Sequence, residues 1–293
     1  MLNWTNMKSS IKYLSLTLFL LISLPALSGG GWTKEKGTGF FKIGQWWIIS
    51  DEHFTSTGKI DPNGTRGTFL TSIYGEYGIT DRITGVVYFP FFARSLVYDQ
   101  VSETNGSVII PGEAINSVGD LDISVKYGLI QNKPFVLSAT LTLGIPTGND
   151  SGGSDGSLQT GDGEFNQMIT IDASRSVKWG DTYPYFSAYA AFNNRTNGFS
   201  DEFRYGFEAG VTKGKITFLT RLFGVTSFQN GEDNFDMSGT SIFGNNAEYF
   251  TIAPELAYSF SDKVGISATY FHPISGKLIF SNPAYSVGLF FNM

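Results

Sequence analysis

The stretch DEFRYGFEAGVTKG, residues 201–214, decides the fold. In an extended chain successive side chains point to opposite faces, so Phe203, Tyr205, Phe207, Ala209 and Val211 share one side. Arg204, Gly206, Glu208 and Gly210 share the other. A soluble sandwich would bury the aromatic side, whereas a membrane barrel turns it to lipid and lines its lumen with the polar side. An Arg aimed at the bilayer midplane costs roughly 2–4 kcal/mol. The membrane reading therefore requires charged strand residues to share the lumen face throughout the chain.

The rest of the chain repeats the pattern. In GDLDISVKYGLI (119–130), Leu121, Ile123, Val125, Tyr127 and Leu129 alternate with Asp122, Ser124, Lys126 and Gly128. In YFTIAPELAYSF (249–260), Phe250, Ile252, Leu256, Tyr258 and Phe260 oppose Thr251, Ala253 and Glu255. Each apolar set fits a membrane-crossing strand of about 9–11 residues. The connectors alternate in length. Short ones at 80–82, 131–134, 177–182, 213–215 and 261–263 interleave with long polar ones near 51–66, 94–118, 145–163, 194–201, 228–247 and 272–283. Outer-membrane barrels have short periplasmic turns at one rim and longer extracellular loops at the other, a regularity that a soluble sandwich has no reason to imitate.

These features predict an all-β fold, a single closed antiparallel up-and-down transmembrane β-barrel of about 12 strands, with both termini on the periplasmic side. The strands are expected near 39–50, 67–79, 83–93, 119–130, 135–144, 164–176, 183–193, 202–213, 216–227, 248–260, 264–272 and 284–293. A closed barrel pairs every backbone polar group in lipid, which an open sheet cannot do. Trp46, Trp47, Tyr77, Tyr88, Trp179 and Tyr258 lie near strand ends, where aromatic girdles form.

Composition agrees. The 293 residues include 35 Gly, 26 Phe and 14 Tyr with 16% charged residues, a mixture suited to strands. The absence of Cys excludes disulfides, thiolate metal sites and a Cys nucleophile. Lys8 and Lys12 precede the apolar run YLSLTLFLLISLPAL (13–27), and Ala26, Leu27 and Ser28 supply a cleavage site, so residues 1–28 read as a signal peptide and 29–293 as the barrel. Met7 opens a second, more ordinary signal peptide. Removing residues 1–28 takes away Lys8 and Lys12 and no acid, moving the formal charge from −6 to −8 and arguing against a nucleic-acid partner. The expected location is the bacterial outer membrane.

AYSVGLFFNM (284–293) places Tyr285, Val287, Leu289, Phe291 and Met293 on one face and ends the chain there. It resembles the terminal-strand signal of the barrel-assembly machinery, although most such signals end in Phe. The expected partners are that machinery, outer-membrane lipid and a small-molecule solute.

The lumen and selectivity candidates are Lys42, Lys126, Arg204 and Arg221 against Glu76, Asp122, Asp172, Glu208 and Glu255. Such charges screen solutes in a water-filled constriction, or knit into ion pairs that plug a narrow barrel. In GNDSGGSDGSLQTGDGE (148–164), Asp150, Asp155, Asp162 and Glu164 offer hard oxygen ligands for a loop cation, with Glu232, Asp233 and Asp236 nearby in sequence. No spacing there matches a known calcium loop, and a solvated acidic loop is the simpler reading. His272 with Ser275 and Ser281 would be a candidate pair for lipid hydrolysis, but no Gly-x-Ser-x-Gly elbow accompanies it. Neither a catalytic residue nor a cofactor is expected, and two histidines make a His-based metal centre a poor prospect.

EYGITDRITGVVYFP (76–90), VGDLDISVKYGL (118–129), LTLGIPTGNDSGGSDGSLQTGDGEFN (141–166) and HPISGK (272–277) together resemble the outer-membrane family named for the MetA pathway of phenol degradation. The most specific piece is Gly-Ile-Pro-Thr-Gly at 144–148 followed by Leu-Gln-Thr-Gly-Asp-Gly at 158–163. The resemblance implies an outer-membrane β-barrel, in some members encoded beside genes for aromatic degradation and associated with passage of hydrophobic compounds. It carries over no substrate and no site residues.

The sequence thus points to a channel or uptake protein for passive passage of small molecules, hydrophobic or aromatic ones included, gated by inward loops at 94–118 and 145–163. Two alternatives stand beside it. One is a closed structural or adhesive barrel that binds partners through its extracellular loops; the other is an outer-membrane lipid-modifying enzyme.

Overall fold

The structure is a computed structural model that describes residues 30–232 and 242–293. Residues 1–28, expected to be a signal peptide, together with Asp233 and Asp236, lie outside the described residues.

Twelve strands form the wall: β1 Gly39–Phe54, β2 Ile60–Thr80, β3 Ile83–Val97, β4 Leu121–Ile130, β5 Phe135–Ile145, β6 Asn166–Ser176, β7 Tyr185–Asn194, β8 Glu202–Lys213, β9 Ile216–Ser227, β10 Glu248–Ser259, β11 Val264–Lys277 and β12 Ala284–Asn292. Each pairs antiparallel with the next. Pairing of β12 with β1, from Phe40 opposite Asn292 to Ile48 opposite Ala284, closes the ring. Closure removes both edges, so no strand presents unpaired N–H and C=O groups to lipid.

The side-chain parity is that of a membrane barrel. Phe203 and Phe207 are 41% and 43% exposed on the outside, while Glu208 on the inside is 8% exposed. Tyr285, Val287, Leu289, Phe291 and Met293 form an exposed outer row on the last strand. The interior holds polar and charged groups with two small apolar clusters, one of Phe40, Ala257 and Phe290, the other of Ile48, Phe280 and Ala284 backed by Trp46, Ile242 and Phe271.

Three differences from the sequence expectation are informative. Strands β1, β2, β3 and β11 extend beyond their expected ends into the long-loop side, because Glu52, His53 and Phe54 keep pairing with Pro62, Asp61 and Ile60, and Val97 with Arg66. Trp46 and Tyr88 do not join an outer girdle; they line the lumen. Trp46 and Trp47 are neighbours, so strand alternation can send only one of them to lipid, and Trp47 takes that place, stacked on Tyr285 at 5.7 Å. The connector after β3 does not fold into the barrel. It rises as a hairpin pairing Gln100–Val101 with Val108–Ile110, with Val101, Val108, Ile109 and Ile110 exposed.

Candidate functional site in the barrel lumen

The register decides which lumen charges meet. Glu208 of β8 sits directly opposite Arg221 of β9, and the Arg221 Nε donates to Glu208 at 2.6 Å. Its Nη1 donates to Glu255 of β10 at 2.8 Å, and Glu255 also receives Lys42 of β1 at 3.4 Å and the Thr269 hydroxyl at 3.1 Å. Four strands are thereby tied across the lumen by one chain of ion pairs, and β11 joins it through the Thr269 hydroxyl. Because every member is paired and hydrogen-bonded, the chain meets the condition under which buried charge is tolerated.

Around it lie two cavities. One, of about 450 Å³, borders β4 to β9 and presents the hydroxyls of Ser124, Thr140, Thr170 and Ser187 together with Lys126 and Asp172. The other, of about 500 Å³, borders β1, β2, β10 and β11 and presents Phe40, Trp46, Leu70, Tyr88 and Ile242. Tyr74, Arg221 and Phe271 line both. The lumen therefore has a polar side and an aromatic side that share a waist. Tyr185 and Tyr189 lie flat on the wall because Gly210 and Gly206 on the adjacent strand leave space for their rings, where a Cβ would clash.

The periplasmic end is narrowed by the chain's own N-terminal segment. Residues 30–38 run inside the rim from β2 to β7. Lys36 N–H donates to the Asp81 carboxylate at 3.0 Å, Lys34 N–H to the Thr84 hydroxyl at 2.9 Å and Gly31 N–H to the Ser174 hydroxyl at 2.8 Å. Gln131 Nε2 donates to the Gly31 carbonyl at 2.8 Å, and Lys126 Nζ to that of Gly30 at 3.0 Å. Trp32 packs edge-on against Tyr185 with centroids 5.8 Å apart. Lys34 reaches Glu76 at 3.5 Å, whose other oxygen accepts the Tyr74 hydroxyl. Gly31 is buried so closely that a Cβ there would lie 3.1 Å from the Asp172 carbonyl oxygen.

The extracellular end is held by charge instead. Arg195, buried between β7 and β8, donates to Glu164, to Glu202 at 2.7 Å and to Asp162 at 3.2 Å, and its guanidinium stacks over Phe199 at 4.4 Å. Arg204 adds a second pair to Glu202 at 2.6 Å. Asp120, beside Asp162, accepts N–H groups from Gly148 and Asp162 at 2.9 Å each. Burial nevertheless pushes its carboxyl up to about 6, with the Asp162 charge adding to the rise. Burial raises Glu164 as well, against the pull of Arg195.

All nine lumen candidates fall on the inward parity. Lys42, Arg221, Glu208 and Glu255 form the cross-lumen chain; Glu76 joins the N-terminal segment; Arg204 pairs at the mouth. Asp122 and Asp172 make no hydrogen bond or ion pair within the described residues. The proposed loop cation ligands do not converge. Asp162 and Glu164 are taken by Arg195, Asp155 caps the Ser157 N–H at 2.9 Å, and Asp150 accepts Gln159 through its carbonyl. Among the described residues no three His, Cys, Asp or Glu side chains are grouped to hold a metal ion. His272 points outward, stacked on Tyr270 at 6.1 Å, and no hydrogen bond joins it to Ser275 or Ser281. Sequence reasoning missed Arg195, Glu202 and Trp32. Arg195 sits in the connector 194–201, which reads as a polar loop, Glu202 is the first residue of a strand where face alone gives no partner, and Trp32 falls before the first expected strand.

Two comparisons return nothing, and one returns the architecture. No family model matches the chain, and no curated protein does. Among solved structures the chain is similar to the COG4313 outer membrane channel from Pseudomonas putida F1, with TM-score 0.59 and 15% identity over 92% of this chain and 100% of that one. The fold is that of an outer-membrane barrel. The NanC porin matches more loosely, at TM-score 0.48 and 10% identity over 86% of this chain and 100% of that one.

Proposed function

We propose that the protein is a passive channel of the bacterial outer membrane for small molecules, with aromatic compounds among its solutes. The observation that carries this reading is the aromatic cavity of about 500 Å³ lined by Phe40, Trp46, Tyr88 and Phe271, open to the waist at Arg221. Ring faces there offer stacking to a planar solute, and the Lys42–Glu255–Arg221 edge offers hydrogen bonds to its substituents. The name of the similar Pseudomonas structure, an outer membrane channel, agrees, and the resemblance to the phenol-degradation family supports the aromatic part. The signal peptide at 1–28 would bring the chain to the assembly machinery, which would read the last strand.

A second reading is favoured by the N-terminal segment, which narrows the periplasmic end: a closed barrel whose function lies in its extracellular loops. Planar-bilayer recording of the refolded barrel separates the two. The channel reading expects discrete conductance steps, partial block by an aromatic solute, and altered conductance in Arg221→Ala, where Glu208 and Glu255 lose their shared partner. Silence from protein shown to be folded by heat-modifiable mobility would leave the closed barrel.

A further inference from the structure

The lumen's charges are not equally committed. Lys34, Lys42, Arg195, Arg204 and Arg221 each hold a carboxylate within ion-pair distance. Lys126, buried, is fixed on the Gly30 carbonyl and lies near both Glu76 and Asp172. Each of these six bases has a carboxylate in its neighbourhood, Lys126 sharing Glu76 and Asp172 without direct contact, and the middle of the lumen is close to neutral.

The carboxylates are in excess, and the excess has a place. At the extracellular mouth Asp120, Asp162, Glu164 and Glu202 lie about Arg195 and Arg204, with Arg66 on the far side donating to the Ser157 carbonyl at 3.5 Å, and Asp122 projects into the lumen just below with no hydrogen bond or ion pair among the described residues. Lower on the same wall Asp172 faces the polar cavity, also without a direct partner, beside hydroxyls of Thr170 and Ser187. Thr140, on that cavity too, has a buried hydroxyl oxygen with no partner. A solute entering from outside thus meets net negative charge first, then the Asp172 carboxylate, which has Lys126 nearby but no direct partner, in a hydroxyl-lined chamber, then aromatic rings across the waist. Low-dielectric walls focus such a field and raise the local concentration of ions of the opposite sign.

We infer that the channel selects small organic cations, the solute's ammonium group being received by Asp122 and then Asp172 while its ring or hydroxyl groups occupy the cavities at the waist. This rests on the channel reading and narrows its solute class. Aromatic rings favour the same ligands, since a cation over a ring face is attracted to it. Asp122 and Asp172 are the selectivity-determining residues, with Arg221 holding the waist between them and the aromatic side.

Two measurements on the full refolded barrel test this. Under a potassium chloride gradient the reversal potential should report cation preference, and Asp122→Asn with Asp172→Asn together should bring the permeability ratio close to one without changing heat-modifiable mobility. A conducting barrel that prefers chloride, or a double variant with unchanged selectivity, overturns the inference and leaves the channel reading intact. The second measurement is calorimetric binding of benzylammonium against benzoate, which does not depend on conduction. Benzylammonium should bind and benzoate should not, with Asp172→Asn weakening the binding roughly tenfold, the ratio equivalent to about 1.4 kcal/mol. If the barrel is silent in the bilayer the channel reading fails, and selective, Asp172-dependent binding still sustains the cation site. Equal binding of the two ions, preference for benzoate or no binding of either overturns it.

Discussion

The two ends of the barrel are narrowed by different physics. At the periplasmic end a strap of the chain's own backbone, residues 30–38, is held mostly by neutral hydrogen bonds to Thr84, Gln131 and Ser174 and by the Trp32–Tyr185 contact. At the extracellular end two loops and the start of β8 are drawn together by one guanidinium, Arg195, shared among Asp162, Glu164 and Glu202. The first closure is covalently continuous with β1. The second exists only while its charges balance. The comparison teaches that the inner end answers to mechanical displacement and the outer end to charge, pH and salt.

The largest effect is expected from removing the strap. Deleting residues 30–36 should raise single-channel conductance severalfold while leaving the heat-modifiable barrel intact, since the β12–β1 closure begins only at Phe40. An unchanged conductance would show that the narrowest point lies elsewhere and break the contrast between the ends. Next is Arg195→Ala, which leaves buried carboxylates uncompensated. Breaking such a pair typically costs about 3–5 kcal/mol, and it should appear as faster proteolysis and hydrogen exchange in 146–165 and 195–201 with no change near the strap.

A smaller effect follows from Asp120. Its carboxyl titrates near 6 in the fold and near 3.9 when unfolded, so between about pH 4 and 6 the native state binds the extra proton. The stability of the loop array should therefore fall as pH rises through that window and stay flat above it. The difference between pH 5 and pH 7 is on the order of 1 kcal/mol once solvent screening of this half-buried group is allowed for. Asp120→Asn should weaken the dependence in loop hydrogen exchange, Glu164 supplying what remains, and the strap should show none in either protein. The smallest effect is that of salt. Raising ionic strength from 0.1 M to 1 M shortens the screening length from about 10 Å to about 3 Å, which should loosen the outer loops slightly, buried pairs being screened least, and leave the strap unmoved.

The legible and illegible parts of this protein divide along the same line. Strand order and face were readable because alternation is enforced at every residue: Phe203, Phe207 and Leu256 had to be on one side if Arg204, Glu208 and Glu255 were on the other. The strands β8 and β9 were placed to the residue, at 202–213 and 216–227, because the turn between them is short. Nothing local marked the strap. Residues 30–38 precede the first expected strand, and only the closed ring gives Gly31 a Ser174 to meet, 143 positions away. Arg195 is a similar case, since its partner Glu164 comes from another connector, 31 positions away.

The sequence by itself determined the barrel, its inward and outward faces and the inward position of the nine charged lumen residues, because period-two alternation and connector length are local quantities. The tertiary structure alone decided which charges pair, that Asp122 and Asp172 make no hydrogen bond or ion pair among the described residues, that Trp46 and Tyr88 build an aromatic cavity, and that the N-terminal segment narrows the inner mouth. Those outcomes depend on cross-strand register and on closure of the ring, which bring together residues that no spacing along the chain connects.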